Sequence, residues 1–299
     1  MRARVLRTLY TGGGYFEGPR WHEGRWWVSD LVRRGVFTYT TTGNEEQMLE
    51  LDQRPSGLGW LPDGSLLFVT MRDRKIWRQS PKGTVTEHAD LTNFSVGDAN
   101  DMVVSRTGHA YVGNFGFDGT TGAQPTTTSI TCVAPDGTAT VAARELMFPN
   151  GMAITDDGGT LIVGESFLGR YTAFTIGEDG ALSNRRVWAA LSPMPSLNSK
   201  QRMVAEVEVL PDGCCIDAEN AVWVADAKGA RCLRVVEGGD ILEQIVASDG
   251  LSVYACMLGG EDRRTLLMCC APGYPPDLDR VGNGVLLTTT VDVPGAGLP

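Results

Sequence analysis

Histidine is nearly missing from this chain: three residues, His22, His88 and His109, in 299. His22 and His109 fall in predicted hairpin turns and His88 in a polar outer stretch, so all three are expected at the solvent surface and none in a catalytic triad. Gly-x-Ser-x-Gly is absent, which excludes the nucleophile elbow of α/β-hydrolases. There is no C-x-x-C pair among the seven cysteines, Cys132, Cys214, Cys215, Cys232, Cys256, Cys269 and Cys270, so a cysteine zinc site is excluded. Apolar neighbours such as Leu267 and Met268 mark these thiols as buried and reduced, the habit of a cytoplasmic protein. No stretch approaches the roughly 20 apolar residues that cross a bilayer, so no membrane partner is expected. The opening MRARVLRTLYTGGG has no apolar core of signal-peptide length, so secretion is not expected either. Lysine and arginine form no stripe, and 26 of them against 36 acidic residues leave a formal charge of −10; nucleic acid is a poor partner for such a surface. Gly12-Gly13-Gly14 precedes a strand rather than a helix, which removes a phosphate-cradling loop.

Amphipathic helical periodicity is also scarce, while glycine, at 37 residues, is frequent. What is present is a degenerate repeat. Each copy has a special residue, often followed by glycine, then an apolar strand, a tight turn and a second apolar strand. The copies begin at Glu17-Gly18-Pro19-Arg20-Trp21, Ser56-Gly57-Leu58-Gly59-Trp60, Asn100-Asp101-Met102-Val103-Val104, Asn150-Gly151-Met152-Ala153-Ile154, Asp212-Gly213-Cys214-Cys215-Ile216 and, more weakly, Tyr254-Ala255-Cys256-Met257-Leu258. Turns such as Pro62-Asp63-Gly64 and Asp156-Asp157-Gly158-Gly159 supply the positive φ of hairpins. The spacing suits four-stranded blades, and six of them use essentially the whole chain. The expected fold is therefore all-β, a six-bladed β-propeller over residues 1–299 as one domain, with Gly284–Thr288 as a closing strand. A β-sandwich would need no anchor recurring at one register.

In a propeller the innermost strands line the central channel. Equivalent copies would set Glu17, Ser56, Asn100, Asn150, Asp212 and Tyr254 at one height around it. Glu17, Asn100, Asn150 and Asp212 are oxygen donors, two carboxylates and two amides, which nearly neutralise one divalent ion. That mix fits Ca²⁺ best, with Mg²⁺ and Mn²⁺ next. Zn²⁺ ranks last, since no His or Cys stands at an anchor.

The segments YFEGPRW, DANDMVV, FPNGMAI and LPDGCCIDAENAVWVAD resemble the family of gluconolactonase, regucalcin (senescence marker protein) and luciferin-regenerating enzyme, over roughly residues 14–290. More distant likenesses are to diisopropyl fluorophosphatase and a bacterial drug-responsive lactonase. The resemblance implies a six-bladed propeller with one catalytic divalent cation. It matches Glu17, Asn150 and Asp212 to the core ligands, and Asn100 to a further ligand or a substrate contact. Asp212 also matches the carboxylate proposed as general base or nucleophile. One position departs: sugar-lactonase members carry an arginine two residues before the matching asparagine, and here it is Asp98. A guanidinium fork would bind sugar hydroxyls; a carboxylate cannot do so in that way.

The implied reaction is hydrolysis of a small lactone or other ester, in which a bound cation polarises the carbonyl and a carboxylate such as Asp212 handles the water or attacks directly. Two other readings stand beside it: phosphotriester hydrolysis at the same metal, and a non-catalytic calcium-binding regulatory propeller. Loops on the metal side hold Met71, Phe94, Phe115, Phe117 and Phe167, with an insertion from about Leu191 to Leu210. Together with Asp98 they are the expected substrate-binding residues, and they point to a hydrophobic or aromatic lactone. Oligomeric state is not legible.

Overall fold

The computed structural model describes residues 4–297 apart from 120 and 249. The chain forms a six-bladed β-propeller. Five blades take their strands in chain order, running Phe16–His22 to Glu45–Glu50, Pro55–Trp60 to Val85–Asp90, Ala99–Val104 to Ala139–Met147, Pro149–Ile154 to Leu182–Ala190 and Pro211–Ile216 to Ile241–Val246. The sixth begins with Leu251–Gly259 and closes differently. Its third strand is Gly284–Thr290, which contains the expected Gly284–Thr288 segment, and its outermost strand is Arg7–Gly13 from the start of the chain. Arg7 pairs with Thr288 and Thr11 with Val285, so the ring is tied by its two ends.

Burial grades outward through each blade. Second strands such as Leu66–Thr70, Ala110–Asn114 and Val222–Asp226 are buried throughout, because neighbouring blades cover both faces. These are the near-continuous apolar runs visible in the sequence. Outermost strands such as Glu45–Glu50 and Val85–Asp90 are polar and largely exposed.

Two devices position the channel. The first is an irregularity in every innermost strand at its anchor. The pairing with the second strand breaks between Pro55 and Leu58, Ala99 and Met102, Pro149 and Met152, Pro211 and Cys214, and Val253 and Ala255. In the first blade it breaks just after Glu17. A bulge re-aims a side chain out of the alternating pattern, and here the re-aimed residues are the anchors. The glycine after the anchor has a packing cause. A Cβ on Gly151 would stand 2.3 Å from the Asp212 carbonyl oxygen, and one on Gly57 would stand 2.3 Å from the Met102 nitrogen.

The second device closes the entry loop of four of the blades. A buried polar residue ends the second strand and accepts from the backbone leading into the inner strand. Asp30 accepts from Gly14 N at 2.8 Å, Asn114 from Val96 N at 3.2 Å, Glu165 from Met147 N at 2.8 Å and Asp226 from Leu210 N at 3.0 Å. The three buried carboxylates are also paired, with Arg33, Arg170 and Arg231, as burial of charge demands.

All seven cysteines are buried and unpaired. The histidines correct the expectation of solvent exposure. All three are partly buried, and His22 ends an inner strand stacked on Trp60, with ring centroids 3.9 Å apart. At that strand end a ring of the neighbouring blade covers one face of the imidazole in place of water. The insertion after Leu191 also holds a helix, Lys200–Glu206, started by Ser199, whose hydroxyl accepts from Arg202 N at 3.2 Å.

Candidate active site

The bulges bring four anchors into one hydrogen-bonded row. Ser56 Oγ donates to Asn100 Oδ1 at 3.2 Å, Asn100 Nδ2 to Asn150 Oδ1 at 3.0 Å, and Asn150 Nδ2 to Asp212 Oδ1 at 2.6 Å. Ser166 extends the row, accepting from Asn150 Nδ2 at 3.2 Å and donating to the Pro211 carbonyl at 2.6 Å. Glu17 lies close enough to Asp212 for their charges to act on each other, and takes a hydrogen bond from the Tyr15 hydroxyl. Side chains held this way have little rotameric freedom, which is the condition for a preorganised site.

The two carboxylates are electrostatically frustrated. Burial among dense protein raises the Glu17 pKa well above the carboxylate range, and the charges of Asp212 and Asp101 add to it. The Asp212 carboxyl is pushed up to about 7, first by burial and then by Asp101, against the pull of the Asn150 hydrogen bond. Some surface of each remains accessible through the channel mouth. Beneath them Asp101 is satisfied by the buried Arg20, with Nη2 3.2 Å away. Among the described residues no arginine or lysine is ion-paired with Glu17 or Asp212.

This arrangement fits a divalent cation. Asn100 Oδ1 and Asn150 Oδ1 each accept a single hydrogen bond within the row, so each carbonyl keeps a lone pair. Two carboxylates and two amide oxygens form a hard donor set of near-neutralising charge. Among the described residues no three His, Cys, Asp or Glu side chains converge as a ligand group; the donor set depends on its asparagines.

Above the row lies a cavity of about 290 Å³, built in tiers. The residues two positions before the anchors form one: Tyr15, Arg54, Asp98, Phe148 and Leu210 all line it. The residues following the second strands form another, with Leu31, Met71, Phe115 and Ser166. Insertions supply Phe167, Lys200 and the segment from Tyr274 to Leu278. One wall is aromatic: Phe148 lies between Phe115, tilted against it at 4.8 Å, and Phe167, stacked on it at 4.7 Å. Tyr15 and Tyr254 meet edge to face at 4.8 Å.

The structure thus brings Met71, Asp98, Phe115 and Phe167 to the cavity with all four expected metal ligands. Phe117 stands behind the wall, 6.0 Å from Phe115 and 6.1 Å from Phe167, buried rather than lining. Phe94 is elsewhere, in a separate surface depression with Asn93 and Val96. There its carbonyl accepts from Ser129 Oγ at 2.9 Å. The Asp98 pKa is raised by burial, while Arg72 Nη1 at 3.6 Å partly meets its charge. Sequence reasoning passed over Tyr15, Arg54 and Phe148 as cavity residues, though a strand's period of two puts them on the anchors' side. Nothing local announced Lys200 or Tyr274.

Residues 16–271 match the family described as SMP-30/Gluconolactonase/LRE-like region. Regucalcin from Oryctolagus cuniculus is 36% identical over 72 residues, which are 23% of this chain and 24% of that protein. The chain thus matches about a quarter of the length of this relative. Among solved structures, regucalcin from Agrobacterium tumefaciens superposes with a TM-score of 0.79 at 19% identity, covering 100% of this chain and 99% of the other. A gluconolactonase from Xanthomonas campestris does so at 0.71 and 24% identity, over 97% and 92%. At these identities the structural likeness speaks to the fold alone.

Proposed function

Because the chain belongs to the SMP-30/Gluconolactonase/LRE-like family, we propose that it hydrolyses a lactone at the floor of this cavity, with one divalent cation as cofactor. The observation that carries the reading is the row of Asn100, Asn150 and Asp212 beside Glu17. Its two carboxylates lack a counter-cation among the described residues, and they open onto an aromatic-walled space. Glu17, Asn100, Asn150 and Asp212 would hold the ion. A divalent cation bound there would polarise the lactone carbonyl and offset the negative charge of its hydrolysis. Calcium is the first candidate, since all the donors are oxygens and the Agrobacterium regucalcin is described as calcium-binding.

The remaining chemistry falls to this chain's side chains. Asn150 fixes the Asp212 carboxylate through Oδ1, and no described residue donates to Oδ2. Asp212 therefore has an oxygen free to take the proton of an attacking water, or to attack the carbonyl itself. In a single turnover in ¹⁸O water an unlabelled first product would mark direct attack, since water then opens the mixed anhydride at the Asp212 carboxyl carbon. The aromatic wall and the volume, at the low end for ligand pockets, suit a lactone of one or two rings with an apolar face. Asp98, where a sugar-binding arginine would stand, favours such substrates over gluconolactone-like sugars.

The test is chelation with metal analysis, then assay on dihydrocoumarin and gluconolactone with Ca²⁺, Mg²⁺, Mn²⁺ or Zn²⁺ restored. Activity should vanish with the metal and return with it, with the higher kcat/KM on dihydrocoumarin. Full activity in metal-free protein would overturn the cofactor. A tenfold or larger preference for the sugar lactone, about 1.4 kcal/mol, would overturn the substrate class.

A further inference from the structure

Lysine is rare in this chain, with four residues, Lys75, Lys82, Lys200 and Lys228, and the structure uses them unequally. Lys75 pairs with Glu87 at 2.6 Å. Lys228 donates to three carbonyls at the end of the Lys200–Glu206 helix, those of Val204, Ala205 and Val207, at 2.8–2.9 Å. Lys82 sits on an exposed turn. Lys200 lines the cavity, and no described oxygen accepts from its ammonium. That ammonium lies over the faces of Phe117 and Phe167, 4.9 and 5.9 Å from their centroids. The residue as a whole is exposed at the mouth, yet desolvation lowers the pKa of its amine, as expected of a charge drawn in among rings.

The other cations of the rim are already engaged. Arg54 reaches the Leu278 carbonyl at 3.4 Å and Asp279 at 3.7 Å. Arg72 faces both Asp98 and Asp118, at 3.6 and 3.7 Å. With the charge of Asp98 partly met by Arg72, the mouth is not simply repulsive to anions. The helix that carries Lys200 is itself fixed, by the Ser199 cap, the buried Met203 and Lys228 at its end. The ammonium is therefore placed, and it is short of an anion.

We propose that Lys200 binds a carboxylate carried by the substrate at the end remote from the lactone carbonyl, so that the preferred substrate is an aromatic lactone with an anionic substituent. This rests on the lactonase reading for the reaction, though not for the binding. Such a ligand would lay its ring against Phe148 and Phe167, with its carbonyl toward Asp212 and its carboxylate at Lys200. The ion pair would be a charge-assisted hydrogen bond at the edge of an apolar wall.

The experiment compares dihydrocoumarin with its 6- and 7-carboxylates in the metal-loaded enzyme, for the unaltered protein, Lys200→Met and Lys200→Arg. Methionine keeps the apolar stem over the rings. The unaltered protein should favour a carboxylate by about tenfold in kcat/KM, the scale of one hydrogen bond to a charged group. The preference should reside in KM, disappear in Lys200→Met and survive in Lys200→Arg. In parallel, calorimetry measures binding of the cyclic ethers chroman-6-carboxylate and chroman-7-carboxylate, which cannot be hydrolysed. Lys200-dependent binding without turnover of any lactone would sustain this inference and sink the lactonase reading. Turnover with the same carboxylate-to-neutral ratio in Lys200→Met as in the unaltered protein would overturn the inference and leave the lactonase reading standing.

Discussion

Asp212 shares the electrostatic tension of the site with Glu17, and the tension has a sign. An aspartate whose folded pKa is raised binds its proton in the native state through a range where the unfolded chain has lost it. Between the unfolded value near 4 and the folded value of about 7, the metal-free fold therefore loses stability as pH rises. The partly buried His22 and His88 have lowered pKa values, chiefly through desolvation, and they act in the opposite sense at the acid end. A difference measurement cancels them. Chelator-treated Asp212→Asn should match the parent near about pH 4, where the unfolded carboxyl also keeps its proton, and melt higher than it near about pH 8, because an amide pays no ionisation cost. Thermal melts at both pH values with excess chelator decide it, and an equal difference at the two would remove the strain argument. Calcium affinity of the parent should correspondingly weaken as pH falls through about 7.

At the scale of the strand, the bulge and the glycine after it are one device. The bulge turns the anchor into the channel, and the missing side chain lets the next blade's backbone approach. Gly151 is the case at the site, since a Cβ there would lie 2.3 Å from the Asp212 carbonyl. Gly151→Ala should destabilise the fold by about 2 kcal/mol or more, in the range of overpacked cores. It should also weaken calcium binding, since the displaced peptide carries Asp212, a proposed ligand. Gly159→Ala, whose Cβ would meet nothing nearer than 3.4 Å, is the control. Urea melts and calcium titration of both would check it, and equal behaviour would show that the close approach does not constrain the site.

The whole molecule is a ring held shut by hydrogen bonds between its ends. Arg7–Gly13 covers the edge of Gly284–Thr290, and an uncovered edge is a template for pairing with another chain. A variant lacking residues up to 13 should unfold at a lower temperature and associate at micromolar concentration, seen by light scattering. A truncated protein that stays monodisperse with an unchanged melting temperature would show that blade-to-blade packing, and not the closing strand, holds the ring.

Much of this was legible in one dimension, for a physical reason. Inner and second strands are buried on both faces, so they appear as apolar runs, and the bulge and close approach stamp a polar residue and a glycine at the same place in most copies. That repetition identified the blades and the four anchors Glu17, Asn100, Asn150 and Asp212. It did not reveal the outermost strands, which are solvated and carry ordinary polar sequence, nor the use of the chain's first strand to complete its last blade. Loop residues escaped for another reason. Phe94 and Phe115 look alike in the sequence, but Phe94 lines a separate depression, its carbonyl accepting from Ser129, while Phe115 follows the end of a second strand and lines the cavity. Lys200 reaches the cavity only because an insertion folds back over the channel. The repeat determined which side chains face the axis, through local strand geometry; the tertiary structure decided which of the others meet them, because only closure of the ring brings distant loops together.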